Sequence, residues 1–320
     1  MQGLLAMVIL RGMNDISNEA ASALVIATYS RQMGLRTATG LTVRGRVKGR
    51  KIKPVCGDRV LATPLDNEPE WLINEICQRR NQLTRPNMRG QTEVLAANIE
   101  FLCVVAAASP TPDWFIVDRY LAAAELIDVP AMVIYNKADL GDIDDKTAAA
   151  LADYAAIGYE TVRCSALTGA NLDQLQPALA NRISIIVGQS GVGKSSLINS
   201  LVDTAGLRTG EVSGSTGEGR HTTVNSQMLE LDGGGAVIDS PGVRDYAPAI
   251  ESLDLVAVGF REITARAQNC RFAKESLRSK RVVAPLLSHH QRASTTGHPS
   301  PILSFSRARQ IPLRALSSTQ

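Results

Sequence analysis

Four residues at fixed spacing carry the clearest chemistry. Gly188, Gly193, Lys194 and Ser195 form GxxxxGK[ST] within Gly188-Gln189-Ser190-Gly191-Val192-Gly193-Lys194-Ser195-Ser196. Glycines let a backbone wrap a phosphate with successive N–H groups turned towards it, and a helix beginning at the lysine adds the positive end of its dipole. Lys194 would reach β- and γ-phosphates, and the Ser195 hydroxyl would ligate Mg²⁺. At ordinary composition these four positions coincide in about one chain in a hundred of this length, so the surroundings decide. The apolar run ISIIV precedes them and SSLINSL follows, the strand–loop–helix setting such a loop requires. A glycine-rich helix entry without a ligand is the plain alternative, and that setting weighs against it.

Three further short motifs follow apolar runs. Asn136-Lys137-Ala138-Asp139 comes after AMVIY. A carboxylate there accepts from guanine N1–H and its 2-amino group, whereas adenine would leave it unpaired. Ser165-Ala166-Leu167 follows ETVRC, where a backbone N–H would meet guanine O6. Asp239-Ser240-Pro241-Gly242 follows GAVI and reads as DxxG: Asp239 on Mg²⁺, the Gly242 N–H on a γ-phosphate. Each four-letter match is weak alone, and a surface turn explains any one of them. Between the first motif and the last lies GEVSGSTGEGRHTTVNS, polar and rich in Gly and Ser, with Thr222 and Thr223. One of these threonines is expected to complete the Mg²⁺ shell, in a loop loose enough to collapse when a γ-phosphate leaves.

The order of the motifs is diagnostic. An ordinary GTPase begins with the phosphate loop and ends with NKxD and SAx. Here NKAD and SAL precede the phosphate loop, the threonine loop and DSPG. The set is complete and circularly permuted, which a fold tolerates because chain ends lie at the surface and a pocket depends on position in space.

Such loops need a frame. FLCVVAAA, AMVIY, ETVRC, ISIIV and GGAVID alternate with helical stretches, as in a mostly parallel α/β sheet buried on both faces. Residues 112–126 read as a helix with Asp113 as N-cap and Ile116, Val117, Tyr120 and Leu121 on its apolar stripe. Residues 255–270 also read as helical. Before the sheet, VIATYS, LTVRGRV, DRVLATP and WLINEIC are short β-branched segments split by Gly, Pro and Asn, and five or so such strands suit a small OB-like barrel. That barrel carries Arg44, Arg46, Lys48, Arg50, Lys51, Lys53 and Arg59 against one acid, Asp58. Two readings fit equally: solvated edge strands protected by charge, or a patch for an RNA backbone.

Composition sets the outer bounds. The 320 residues are 44% hydrophobic and 20% charged, which fits two or three globular domains and excludes wholesale disorder. Aromatics are 4%, so the cores must be aliphatic. No apolar run approaches the ~20 residues of a membrane span, and the opening MQGLLAMVIL lacks the basic start and cleavage site of a signal peptide. Met13 is a candidate initiator. The cysteines Cys56, Cys77, Cys103, Cys164 and Cys270 are scattered, as expected of reduced thiols. From Ser276 to Gln320 there are seven Lys and Arg and no Asp or Glu. The chain's net +3 therefore belongs to that stretch, and the remainder is acidic overall.

A basic barrel followed by a permuted GTPase resembles the ribosome-small-subunit-dependent GTPases of the RsgA (YjeQ) family. The likeness spans about residues 23–272 and rests on CGDRV, NQLTRPN, LAANIE, DRYLAAAE, NKADL, CSALTGANLDQL, GQSGVGKSSLIN, GEVS, GRHTT, DSPGVRDY and GFREI. It implies a cytoplasmic, monomeric GTP hydrolase acting late in assembly of the 30S subunit. Such a protein binds 16S rRNA, hydrolyses GTP to GDP and phosphate slowly until the subunit stimulates it, and engages no membrane. The resemblance tilts the barrel cluster towards RNA. It divides the chain into an N-terminal extension (1–20), an OB-fold barrel (21–88), a permuted GTPase domain (89–250) and a C-terminal region (251–320). The family's C-terminal zinc domain uses C-x4-C-x-H-x5-C. Cys270 matches its first ligand, but Glu275, Leu277 and Val283 occupy the other three positions. One thiolate cannot hold structural zinc, so an aberrant, largely disordered tail without zinc is expected; a frameshift near residue 273 would produce one.

The residue that positions the attacking water is open. Ras-like GTPases use a Gln after DxxG; here Val243 stands there, and the substitution is typical of the family. His221, beside the threonine pair, would orient water or would merely face solvent, and a group supplied by rRNA is a third option. The competing function is a non-catalytic, GTP-gated RNA-binding module. NKAD argues against a P-loop kinase or ATPase.

Overall fold

The computed structural model describes residues 20–30, 32–47, 49, 52–66, 68–87, 89–202, 225–240 and 258–268. His221, Thr222, Thr223, Gly242, Val243, Cys270 and the tail lie outside the described residues, as do Lys48, Arg50 and Lys51.

Five strands close the barrel: β1 (Ala21–Thr28), β2 (Met33–Thr37), β3 (Thr42–Val47), β4 (Arg59–Pro64) and β5 (Glu70–Ile76). They run in the order β1-β2-β3-β5-β4, and β4 returns to β1. All pairs are antiparallel except β3 with β5. Alternate residues point inward, so Ala23, Val25, Leu35, Val60, Ala62, Trp71 and Ile73 make a small core of their own. The outward residues of β1 are not wasted on solvent: Leu24 and Ile26 pack against the core of the next domain.

A hairpin, β6 (Gln82–Pro86) with β7 (Thr92–Ala97), leads out of the barrel. Its base is tied down by polar groups. The Asp58 carboxylate, fully buried, receives Arg79 through two bonds of 2.7 and 2.8 Å and the Val55 N–H at 2.8 Å. Asn98, at φ 54°, donates to the Gly57 carbonyl and accepts from the Arg80 N–H, each at 2.8 Å. A buried charge without such partners would cost several kcal/mol.

The remaining strands of the barrel's sheet run β10 (Glu160–Arg163), β9 (Ala131–Asn136), β8 (Phe101–Ala107), β11 (Ile183–Gly188), β13 (Ala236–Asp239), β12 (Ser226–Glu230). Every neighbouring pair is parallel except β12 with β13. The reason β8 is apolar throughout is visible in its neighbours. Leu102 and Val104 face α1 (Trp114–Leu126) and α2 (Asp145–Ala156), where Tyr120 and Tyr154 are buried. Phe101, Cys103 and Val105 face the other way, towards α3 (Gln176–Leu179) and α4 (Lys194–Leu201). Asp113 caps α1, accepting from the Phe115 N–H at 3.0 Å, where the sequence placed it. The helix read over residues 255–270 is described over α5 (Arg261–Gln268). Four strands were not singled out in the sequence: β2, which is short, β6 and β7, whose hairpin lies between the barrel segments and the first long apolar run, and β12, whose SQMLE follows directly on the polar loop.

Candidate functional site

Parallel strands put their C-terminal ends on one edge, and ligands in open α/β sheets bind outside that edge. The segments that follow β8, β9, β10, β11 and β13 all emerge there. They are the 108–113 turn, NKAD, SAL, the phosphate loop and Asp239-Ser240.

The phosphate loop has the backbone that its glycines allow. Gly188 sits at φ +139°, and a Cβ on it would stand 2.2 Å from the Val105 carbonyl oxygen of the adjacent strand. Gly193 sits at φ +90°, and a Cβ there would lie 2.5 Å from Asn136 Nδ2. Neither position admits another residue without moving backbone or a buried amide. Gly193 is also the N-cap of α4, whose first turn no side chain caps. Lys194 Nζ donates to the Gly188 and Gln189 carbonyls at 2.8 and 2.7 Å, which holds its ammonium at the loop. Ser190 and Ser195 are exposed on the same loop. Gln189 is fixed from outside, its Oε1 accepting from the Asp113 N–H at 3.3 Å.

NKAD is bonded to both of its neighbours. Asn136 is buried; its Nδ2 donates to the Val192 carbonyl at 3.0 Å and its Oδ1 accepts from the Ala166 N–H at 3.0 Å. One amide thus joins three motifs that are 30 and 56 residues apart. Lys137, in the left-handed region at φ 63°, donates to the Gly191 carbonyl at 2.7 Å and to the Ser109 carbonyl at 2.6 Å. The Ala138 N–H reaches the Cys164 carbonyl at 3.0 Å. Asp139 accepts from the Ser165 hydroxyl. Burial pushes the Cys164 thiol up to about 11, so it stays protonated and unreactive beside the site. Asp239 ends β13 beside β11 with its side chain half-buried, and Ser240 is buried behind it. Ser109 and the Gln189–Asp113 contact carry no sequence signal, because each depends on where the turn after β8 lies in space.

Residues 76–248 match the family described as RsgA GTPase. A small ribosomal subunit biogenesis GTPase RsgA from Marinobacter nauticus is 39% identical over 259 residues, 78% of this chain and 74% of that protein. Its counterpart in Pseudomonas aeruginosa is 38% identical over 252 residues with the same coverage. The chain belongs to the RsgA GTPase family. Two solved structures share its fold. One is YjeQ from Thermotoga maritima, with TM-score 0.59 at 24% identity, covering 85% of this chain and 98% of that one. The other is YloQ, described as a circularly permuted GTPase, with TM-score 0.61 at 21% identity, covering 85% and 89%. The permuted order of motifs read in the sequence agrees with that fold, and the architecture is a permuted GTPase domain preceded by a barrel. Family membership makes the chain a GTP hydrolase.

The barrel's charges are more compromised than its sequence suggests. Arg46 pairs with Glu68 at 3.0 Å and lies 3.9 Å from Glu70. Arg36 pairs with Glu230 at 2.7 Å, and Arg85 with Glu93 at 3.2 Å. Arg44, Arg59 and Lys53 are exposed. A cleft of about 1540 Å³ separates the barrel from the hairpin, and Asn225, Ser226 and Ser240 close one side of it. Among the described residues no helix is long and apolar enough to cross a membrane.

Proposed function

We propose that the pocket at the strand edge binds Mg²⁺-GTP, and that its hydrolysis to GDP and phosphate serves assembly of the small ribosomal subunit. The carrying observation is Asn136, which ties the phosphate loop to the guanine-side loop through Val192 and Ala166. That bridge fixes the spacing between a base and its phosphates before either arrives. Asp139, steadied by Ser165, accepts from the guanine N1–H and amino group. The Ser165, Ala166 and Thr168 N–H groups are already engaged inside the protein, so the exposed Leu167 supplies the N–H for O6. The loop glycines let the backbone lie directly against Val105 and Asn136, and a hydroxyl and a carboxylate suit a hard cation. Ser195 and Asp239, with Thr222 or Thr223, would hold Mg²⁺, which offsets charge on the β- and γ-phosphates. Lys194 meets those phosphates, Gly242 senses the γ-phosphate, and His221 orients water.

The named relatives act in biogenesis of the small ribosomal subunit, and the reading extends to this chain a 30S partner, 16S rRNA contact through the barrel, a monomeric state and a cytoplasmic site of action. Family membership favours the hydrolase over a non-catalytic RNA-binding module. The domain division given above and the absence of structural zinc belong to the same proposal; Cys270 alone would be left of the zinc ligands.

Asp139→Asn tests the base pocket. It should shift preference from GTP towards xanthosine triphosphate, measured by nucleotide competition, because an amide presents donors where the carboxylate accepts. Unchanged GTP affinity would remove Asp139 from the pocket. Lys194→Ala should abolish turnover while cooperative thermal unfolding persists. Single-turnover hydrolysis with and without 30S subunits separates hydrolase from passive module.

A further inference from the structure

Strand β1 serves two domains, and the place where it changes allegiance lies against the nucleotide site. Its first half, Ala21–Leu24, pairs with β4 and closes the barrel. The register with β2 then shifts between Val25 and Ala27. Such a bulge bends a strand and increases its twist. Beyond it, Ala27 and Thr28 pair with Gln227 and Ser226 of β12, so barrel and nucleotide-binding sheet are one continuous sheet. The seam is short, two residue pairs, extended by the Asn225 N–H to the Thr28 carbonyl at 2.9 Å and by the Arg36–Glu230 ion pair at 2.7 Å.

Ser226 sits at the centre of this seam. It is buried, three residues after Thr223 in the chain. Its hydroxyl donates to the Asp239 carbonyl at 3.3 Å. It also interacts with the Cys56 thiol of the barrel, which itself donates to the Ile26 carbonyl, at the bulge, at 3.6 Å. One residue therefore touches the backbone of the Mg²⁺-site carboxylate, the barrel's first strand, and the connection into its fourth.

We infer that Ser226 is a positioning residue for Asp239, held in place by the barrel through the β1–β12 seam, so that barrel and nucleotide site respond to each other. This rests on the reading of Asp239 as a Mg²⁺-site residue. The element with two arrangements is the seam itself, paired or opened. Its two residue pairs are the fewest of any join in the sheet, against three between β11 and β13 and four between β12 and β13. Coupling of this kind is reciprocal: a nucleotide that favours the paired seam is itself bound more tightly when the barrel favours it.

The experiment measures affinity for a fluorescent non-hydrolysable GTP analogue and for GDP, each with Mg²⁺ and with chelator, on the full chain. Ser226→Ala should weaken Mg²⁺-dependent binding of the GTP analogue roughly fivefold, a typical coupling, and leave GDP binding in chelator within about twofold. Ser226→Thr, which keeps the hydroxyl, should restore it. Arg36→Glu touches neither nucleotide nor Asp239; it should act in the same direction, and Arg36→Glu with Glu230→Arg should recover. Equal losses with and without Mg²⁺ would overturn the inference, because a merely structural serine behaves so. Wild-type Mg²⁺ dependence in both Ser226→Ala and Arg36→Glu would overturn it as well. Failure of the parent chain to bind the GTP analogue with Mg²⁺ would instead sink the nucleotide reading on which the inference stands.

Discussion

At the strand edge, polar side chains of one motif are bonded to residues of another: Asn136 to Val192 and Ala166, Lys137 to Gly191, Asp139 to Ser165. On the barrel and its hairpin some exposed arginines pair with acids: Arg46 with Glu68 and Glu70, Arg85 with Glu93. The first arrangement makes every residue a condition for the others, so substitutions there should be large and non-additive. The second spreads charge over exchangeable positions, where each pair is worth less than about 1 kcal/mol. The pocket proposed for a base and its phosphates needs the former; a surface proposed to meet a phosphate backbone tolerates the latter.

Asn136→Ala is the hardest test of that difference and carries the largest expected effect. It strands the buried Val192 carbonyl and Ala166 N–H, at a cost of about 3 kcal/mol in stability. It also unties the guanine-side loop from the phosphate loop, so GTP affinity should fall at least about 100-fold, more than the lost stability alone explains. Chemical denaturation and nucleotide titration read the two effects. A GTP affinity within tenfold of the parent would show that the loops hold their spacing without the bridge.

The same contrast governs what the sequence disclosed. Strands β8, β9, β11 and β13 were legible because burial on both faces demands unbroken apolar runs, and α1 because Asp113 announces its start. The GxxxxGK[ST] loop, NKAD and SAL stood out because fixed residue types recur at fixed spacing after apolar runs, and the fold brings the three to one edge. Ser109, which receives Lys137, and Ser226, at the seam, were silent: a carbonyl or a small hydroxyl is supplied by many residues, and only the fold decides which one arrives. Strand β12 was missed for a similar reason, since five residues at a loop's end show too little alternation to declare a period. The barrel's charges were visible as a cluster, but the acids that answer Arg46 come from Glu68 and Glu70, over twenty residues away in sequence.

Where α5 meets α1 and the turn before β10, a half-buried network offers an intermediate effect. Arg261 pairs with Glu125 at 2.6 Å, donates to the Gly158 carbonyl at 2.8 Å and stacks 4.0 Å over Tyr159. Nearby, burial pushes the Asp118 carboxyl up to about 8, against the Tyr154 hydroxyl that donates to it at 2.7 Å and with the help of negative Glu262 and Asp113. Its folded pKa lies above its unfolded one near 4. Between those values the folded state keeps a proton that the unfolded state has released, so stability is full below about pH 4 and declines as pH rises towards 8. Asp118→Asn keeps an acceptor for Tyr154 and removes the titration. The drop in Tm between pH 5 and pH 8 should shrink by about 5 °C in the variant. An identical drop in both proteins would place the pH dependence elsewhere.

The smallest effect decides what the barrel face is for. Thr42, Arg44 and Arg46 alternate onto the exposed side of β3, and Arg46, with its side chain 45% exposed, is the member most engaged by acids. Glu68 is equally open, at 46%. Glu68→Gln should therefore leave stability almost unchanged, within about 0.5 kcal/mol, because an exposed pair gains little from water. It raises the local charge by one unit and leaves the guanidinium only its longer contact with Glu70, at 3.9 Å. On an RNA-binding face that adds one phosphate contact. Affinity for a single-stranded oligoribonucleotide should rise a few-fold at low salt, and the slope of log K against log salt should steepen by about 0.7. Arg46→Ala should move both quantities the other way. Strand β3 is paired on both sides, with β2 and β5, so the edge-strand reading of its charges fails; on a face that is merely solvated, neither substitution alters RNA affinity or its salt slope. A solvated face and an RNA-binding one, indistinguishable in the sequence, then separate on the sign of a single exposed carboxylate's effect.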